Sequence, residues 1–370
     1  MKHIAHSIFF GCILFVFFGC SSEVNKQLEP KGSALGKMNE IIVIADKALW
    51  ESAVGDTFQY YFESAYPILP QPEPIFDLRH FTMEELNGQP LRKELRTYVI
   101  LSDLSDAESP TTRMVKRDLG SEKYSSAMQG GDKFSSVGRD KWARGQLLVY
   151  LYAPNRAKLE EAITSSFSAI ASRVHRHDEK QLRSSVYVDR VNSGLTDKVR
   201  DDFGIAFDVP GDFHVAIENK DNKVLWLRKI GDKADQNIVL QKIKYNNQSQ
   251  LSKEGIIDIR NKFGSIYVTS DEEDDVMVVD EDNLPVYEYN LNMDGHYGKE
   301  LRGIWEMTNT FSGGPFTTYV ILKEATNEIL YVDVFVLAPG TTKRDLMMQL
   351  DHIIKSSNII GVPKGTQSGE

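Results

Sequence analysis

Apolar residues recur along this chain with two periods, and Pro, Gly and polar runs mark where one period gives way to the other. Positions 40–45 (Glu-Ile-Ile-Val-Ile-Ala) read as a short strand; Leu49, Trp50, Ala53, Val54, Phe58, Tyr61 and Phe62 then recur at helical spacing. Pro67, Pro70, Pro72 and Pro74 predict an extended connection, because proline removes a donor that a helix or a central strand requires. Continuous apolar runs at 97–101 and 149–153 predict buried strands, and the second leads into an amphipathic helix carrying Leu159, Ala162, Ile163, Phe167, Ile170, Ala171 and Val174. Periodicity lapses over 189–202. It resumes with strands at 203–213, 224–228 and 237–243, a helix near 254–263, further long strands, and a terminal helix carrying Leu346, Met347, Leu350, Ile353 and Ile354.

Two pieces of the chain recur in the same order. Thr-Tyr-Val-Ile-Leu stands at both 97–101 and 318–322, and Val-Tyr-Leu-Tyr-Ala-Pro at 149–154 is echoed by Val-Phe-Val-Leu-Ala-Pro at 334–339, each followed by an amphipathic helix. The pattern predicts an α+β protein of two related domains, at 38–190 and 200–358, with antiparallel sheets covered by helices. Between its paired strands the first half carries 47 residues (102–148) where the second carries 11 (323–333), so 102–148 reads as an insertion.

The start of the chain has its own grammar. Lys2 precedes an 11-residue apolar run at 8–18, too short to span a bilayer and suited to a secretory h-region. The run ends at Gly19-Cys20-Ser21-Ser22, which resembles a bacterial lipobox, although Phe17 and Phe18 stand where that pattern has Leu and a small residue. The resemblance implies a signal peptide at 1–19, a diacylglycerol on Cys20, and anchoring in the outer membrane, on a face left open. Positions 20–37 are polar, with Pro30, Gly32, Ser33 and Gly36, and read as a flexible tether; 359–370 reads as a tail. The order of elements over 203–358, opening with Phe203-Gly204-Ile205-Ala206-Phe207-Asp208-Val209-Pro210-Gly211-Asp212-Phe213 and closing with a helix, is similar to the small α+β sandwich of PsbP and Mog1-like proteins, which mostly bind partners. As a whole the chain resembles uncharacterised outer-membrane lipoproteins of Bacteroidetes, a resemblance that implies no activity.

Composition narrows the function. The formal charge is −10, and without Lys2 it is 42 basic against 53 acidic residues, or −11, which argues against a nucleic-acid-binding body. Cys12 and Cys20 are the two cysteines, so the folded part has no disulfide, thiol nucleophile or cysteine-bound metal. No Gly-x-Ser-x-Gly elbow, phosphate-binding loop, His-Glu-x-x-His or dinucleotide glycine pattern is present, and no cofactor is expected. His175-Arg176-His177-Asp178 reads as a solvated helix end rather than a metal site. The acids at 271–275 and 280–282 read as solvated turns lacking calcium-loop spacing. Trp226, Trp305, Tyr287 and Tyr289 alternate on strands, so core packing is the first reading and a sugar platform the second.

Charge segregates within the insertion. From 111 to 145 eight basic residues face four acidic ones, and the centre, 125–138, is rich in Gly and Ser. Arg139, Trp142 and Arg144 have the aromatic-plus-Arg composition of interface anchors, so they are the candidate partner-binding residues on a mobile arm. The expectation is a non-enzymatic, membrane-anchored accessory or scaffold subunit holding an envelope protein partner. A carboxylate-based hydrolase and a glycan-binding module are the alternatives.

Overall fold

In the computed structural model, residues 31–131 and 133–360 are described; the expected leader, the Cys20 lipidation site and most of the tail lie outside them. The first unit runs β1 (Glu40–Ile44), α1 (Lys47–Trp50), α2 (Ala53–Phe62), β2 (Asp77–Phe81), α3 (Met83–Gly88), β3 (Thr97–Asp103), α4 (Pro110–Leu119), α5 (Ser121–Met128), β4 (Ser135–Arg139), β5 (Leu147–Ala153) and the long α6 (Arg156–Val186). Its sheet has the order β2-β1-β3-β5-β4. The first four strands are parallel, with only β4 antiparallel to β5.

That corrects the expectation of an antiparallel first sheet and of two related halves. β3 and β5 are buried on both faces, as central parallel strands are: Val99, Leu101, Val149 and Leu151 pack beneath α2 and α6, while Tyr98, Ile100, Leu148 and Tyr150 pack beneath α4 and α5. The insertion is the crossover that carries the chain from β3 to a parallel β5. It is not an arm: 125–138 supplies the end of α5 and most of β4, and Met114, Val115 and Ala127 are buried in this layer.

The polar stretch at 189–202, expected as a lapse between domains, contains α7 (Ser193–Phe203). Asn192 caps it, and Gly204, in the left-handed region at φ +66°, ends it where other residues would be strained. The expected opening strand at 203–213 therefore shrinks to β6 (Ile205–Ala206), and the next strand is β7 (His214–Asn219). The second unit continues β8 (Val224–Ile230), β9 (Asp235–Lys244), α8 (Lys253–Tyr267), β10 (Met277–Asp280), β11 (Tyr287–Met293), β12 (His296–Met307), β13 (Gly313–Lys323), β14 (Glu328–Leu337), α9 (Arg344–Lys355) and β15 (Asn358–Ile359). Its main sheet is antiparallel, in the order β10-β12-β13-β14-β9-β8-β7, with β11 also pairing β12.

Alternation along these strands serves two cores. Leu225, Leu227, Ile238, Leu240, Tyr319 and Val332 face α7 and α9; Val224, Trp226, Val239, Val320, Tyr331 and Phe335 face α8. The described residues thus form an α+β protein with two main sheets and a short two-stranded pair, β6 with β15. Leu69 and Val186 of the first unit enter the α9-side core, so the two units share packing.

Candidate functional site: the N-terminal face and the cleft between the units

Arg139 ends β4 and begins a turn closed by two side chains. Asp140 accepts from the Gly145 and Gln146 N–H groups at 2.6 and 3.2 Å. The buried Gln146 amide accepts from the Trp142 and Ala143 N–H groups at 2.8 and 2.9 Å and donates to the Lys93 and Leu95 carbonyls at 2.6 and 2.7 Å. The three candidate residues share this turn but not one role. Arg139 and Arg144 are exposed, whereas Trp142 is half-buried, its ring edge-on to Tyr98 at 5.1 Å. Sequence reasoning missed Gln146, a lone amide whose use depends on which backbone groups the fold leaves unpaired.

It also missed what lies across this turn. Residues 32–35, expected within the tether, are fastened to the body: the Arg144 N–H donates to Gly32 O, the Ala34 N–H to Arg144 O, and the Leu35 N–H to Glu94 O, at 2.7–2.8 Å. The Lys31 ammonium reaches Asp140 O at 2.6 Å. All of this sits at the amino ends of the parallel strands.

The carboxyl ends are where ligands bind in parallel sheets, at the point where strand order reverses, here between β1 and β3. Asp46, just past β1, occupies that point itself. Its carboxylate accepts from Thr111 Oγ1 at 2.9 Å and from the Ser109 hydroxyl at the start of α4. The strand's own acid thus fills the place at the helix N-terminus that an anionic ligand would take.

A cleft of about 560 Å³ lies between the units, along α6 and α9, lined by Tyr66, His175, Arg302, Asp351, His352 and Lys355 among others. Arg302, Asp351 and Lys355 are paired within the protein, while Arg176 and Glu179 stand exposed at the edge of the cleft. Asp351 accepts from Tyr319 Oη at 2.7 Å and from Arg302; Arg302 Nε donates to Glu300 at 2.7 Å, and Lys355 lies 3.1 Å from Glu300. Burial pushes the Tyr66 and Tyr319 phenols up, reinforced by Asp351, so neither is poised as a base. Burial pushes His175 and His352 down, which keeps both neutral at pH 7.

Beside the cleft the units are joined by caps from one to the other. Glu73 accepts from the Lys343 and Arg344 N–H groups at the start of α9, at 2.6 and 2.9 Å, and Arg344 pairs with Asp77 at 2.9 Å. Asn39, whose N–H donates to Asp178 within the first unit at 2.9 Å, reaches across with its side-chain amide to Asp345 at 3.1 Å. His175-Arg176-His177-Asp178 is mid-helix and not a helix end: Asp178 is buried and His177 half-buried, while His175 and Arg176 stay exposed.

The acidic run forms two turns flanking β10, with Asp271 to Asp274, Glu281 and Asp282 exposed as expected, but Asp275 and Asp280 are buried. Asp275 is 1% exposed and organises two loops, accepting from Ser270 and Thr310 hydroxyls at 2.6 Å and from the Asn309 N–H at 2.7 Å. Those bonds hold its carboxyl well below the usual range against the opposing effect of desolvation. Among the aromatics, Trp226 and Trp305 are core residues, as the first reading expected, and Tyr287 and Tyr289 stand about half exposed on β11. Among the described residues there is no group of three or more His, Cys, Asp or Glu that could hold a metal ion. Nor is any described helix long and apolar enough to cross a membrane.

Comparison with known proteins places two different family models on the two units. Residues 34–187 match "Domain of unknown function (DUF8532)" and residues 192–356 match "Domain of unknown function (DUF4837)". No curated protein matches the chain. Among solved structures it is similar to the Saccharomyces cerevisiae Ran-binding protein Mog1p, at 11% identity and TM-score 0.28 over 42% of this chain and 90% of that one. It is also similar to LpqN, involved in cell envelope biogenesis of Mycobacterium tuberculosis, at 12% identity and TM-score 0.27 over 42% of this chain and 83% of that one.

Proposed function

We propose that this is an outer-membrane lipoprotein, anchored through Cys20, that works without catalysis as an accessory subunit holding an envelope protein partner. The observation that supports a binding over a catalytic reading is the state of its buried acids. Glu73, Asp178, Asp275, Asp280, Glu300, Asp333 and Asp351 each already accept from an N–H, hydroxyl or cationic partner within the protein. A hydrolase of the carboxylate type needs one acid free to give a proton and another free to accept one or attack. In the cleft, Asp351, with Glu300 beside it, holds Arg302 instead. The anchor rests on the h-region and the Gly19-Cys20-Ser21 sequence.

Replacing Cys20 by Ser tests the anchor: the variant should leave the membrane fraction after a high-salt wash, and full retention would overturn the lipidation reading. Purification of the anchored protein in mild detergent tests the accessory role. A partner in fixed ratio is expected, and recovery of the protein alone at every detergent strength would count against it.

A further inference from the structure

We infer that the face on which residues 32–35 dock is the membrane-facing surface of the protein, and that what it binds is an anionic lipid headgroup layer. The inference rests on the Cys20 anchor proposed above and adds an orientation and a ligand to it. Geometry supplies the first argument. Eleven residue steps separate Cys20 from Lys31, a span that cannot exceed about 40 Å. A compact body of this size has a radius of gyration of about 20 Å. A tether that short lets the bilayer meet the face from which it emerges, while the opposite face would require it to stretch around the body.

Charge supplies the second. Lys31, Lys93, Arg139 and Arg144 are gathered here by the backbone bonds of Gly32, Ala34 and Gln146, and none of the ion pairs among the described residues uses them. The nearby acids are Asp140, whose carboxylate accepts from the Gly145 and Gln146 N–H groups, and Glu94, so four cations stand against two acids. On a body of net charge −11 most of the surface would be repelled by an anionic bilayer, and this face would be drawn to it.

Exposed apolar side chains supply the third. Leu91, in the short 3₁₀ turn Pro90–Glu94, is 70% exposed, and Leu35, bridged to Leu95, is 55% exposed. Two leucines standing out among cations is the composition of a surface that lies in the headgroup layer. The candidate interface residues Arg139 and Arg144 then contact lipid, with the half-buried Trp142 bracing their turn.

Vesicle flotation tests this with the chain from Cys20 onward, unacylated, so that every described residue is kept. It should float with phosphatidylcholine vesicles containing about one-third phosphatidylglycerol at about 0.05 M salt, and release at about 0.5 M. Lys93→Glu/Arg139→Glu/Arg144→Glu should weaken binding by about tenfold or more. A control set on other surfaces, Lys220→Glu/Lys233→Glu/Lys262→Glu, should bind as wild type. If the reversed set shows a lowered unfolding midpoint, the Gln versions are read instead. Equal flotation with pure phosphatidylcholine, or equal loss in the control set, overturns the proposal. Because this assay has no acyl chain, its failure removes the lipid-binding face and leaves the anchor standing; membrane retention of the Cys20→Ser protein after salt does the reverse.

Discussion

The pentapeptide Thr-Tyr-Val-Ile-Leu is built into two different sheets. In β3 it lies parallel to β1 and β5, and in β13 it lies antiparallel to β12 and β14. Burial does not separate the copies: Ile100 and Ile321 are each 0% exposed, and Tyr98 and Tyr319 both keep their hydroxyls bonded inside the fold. The connections do. Residues 324–327 join β13 to β14, enough for a hairpin and nothing else, whereas 104–146 separate β3 from β5 and hold the two helices of a crossover. A strand's residues say that it is buried on both faces; the length and content of the connection after it decide its partner's direction.

The largest expected effect comes from a feature that only the antiparallel copy has. Thr318 and Arg260 both donate to Asp333 on the neighbouring strand, all three being buried, with the Arg260 guanidinium 3.9 Å from the Phe316 ring. Asp333→Ala would leave that charge unpaired and should cost about 3–5 kcal/mol in urea unfolding. Arg260→Met/Asp333→Leu should recover most of it. A small cost for the single change would mean that water already compensates the arginine.

Next in size are Ile100→Ala and Ile321→Ala, one in each copy, each expected to cost about 2–5 kcal/mol from lost contacts and the cavity left behind. Because Leu69 and Val186 tie the first unit into the second unit's core, both variants should lower one shared transition. Two separated transitions would show that the units unfold independently.

The smallest effect is on pH, and it belongs to three histidines of α6 and α9. His175, His177 and His352 are held below the usual histidine range, chiefly by burial. The unfolded chain therefore takes up protons more readily than the folded one. Stability from these groups is complete above the unfolded value of about 6.5 and is lost as pH falls through it toward the lower folded values. The thermal midpoint should drop between pH 7.5 and 5.5, and His175→Gln/His352→Gln should flatten that slope. An unchanged slope would place the acid sensitivity elsewhere.

Periodicity alone located much of the fold: the helix of α6, the strands β1, β3, β5, β8 and β9, the helices α8 and α9, and the extended proline segment, since each buries a face whose spacing is written locally. It passed over α7, which buries only Val199 and Phe203 fully and Leu195 in part. Of the candidate surface, the exposed arginines and their charge excess were legible as composition. What only the tertiary structure decided is which residues stand beside them. Lys31, Leu35 and Leu91 lie 53 to 113 residues away in the chain and are brought to Arg144 by backbone bonds and one buried glutamine. The same holds for strand direction and for the burial of Asp178. Local sequence fixes what a segment can bury, but partner, direction and neighbouring charge are set by contacts between segments far apart in the chain.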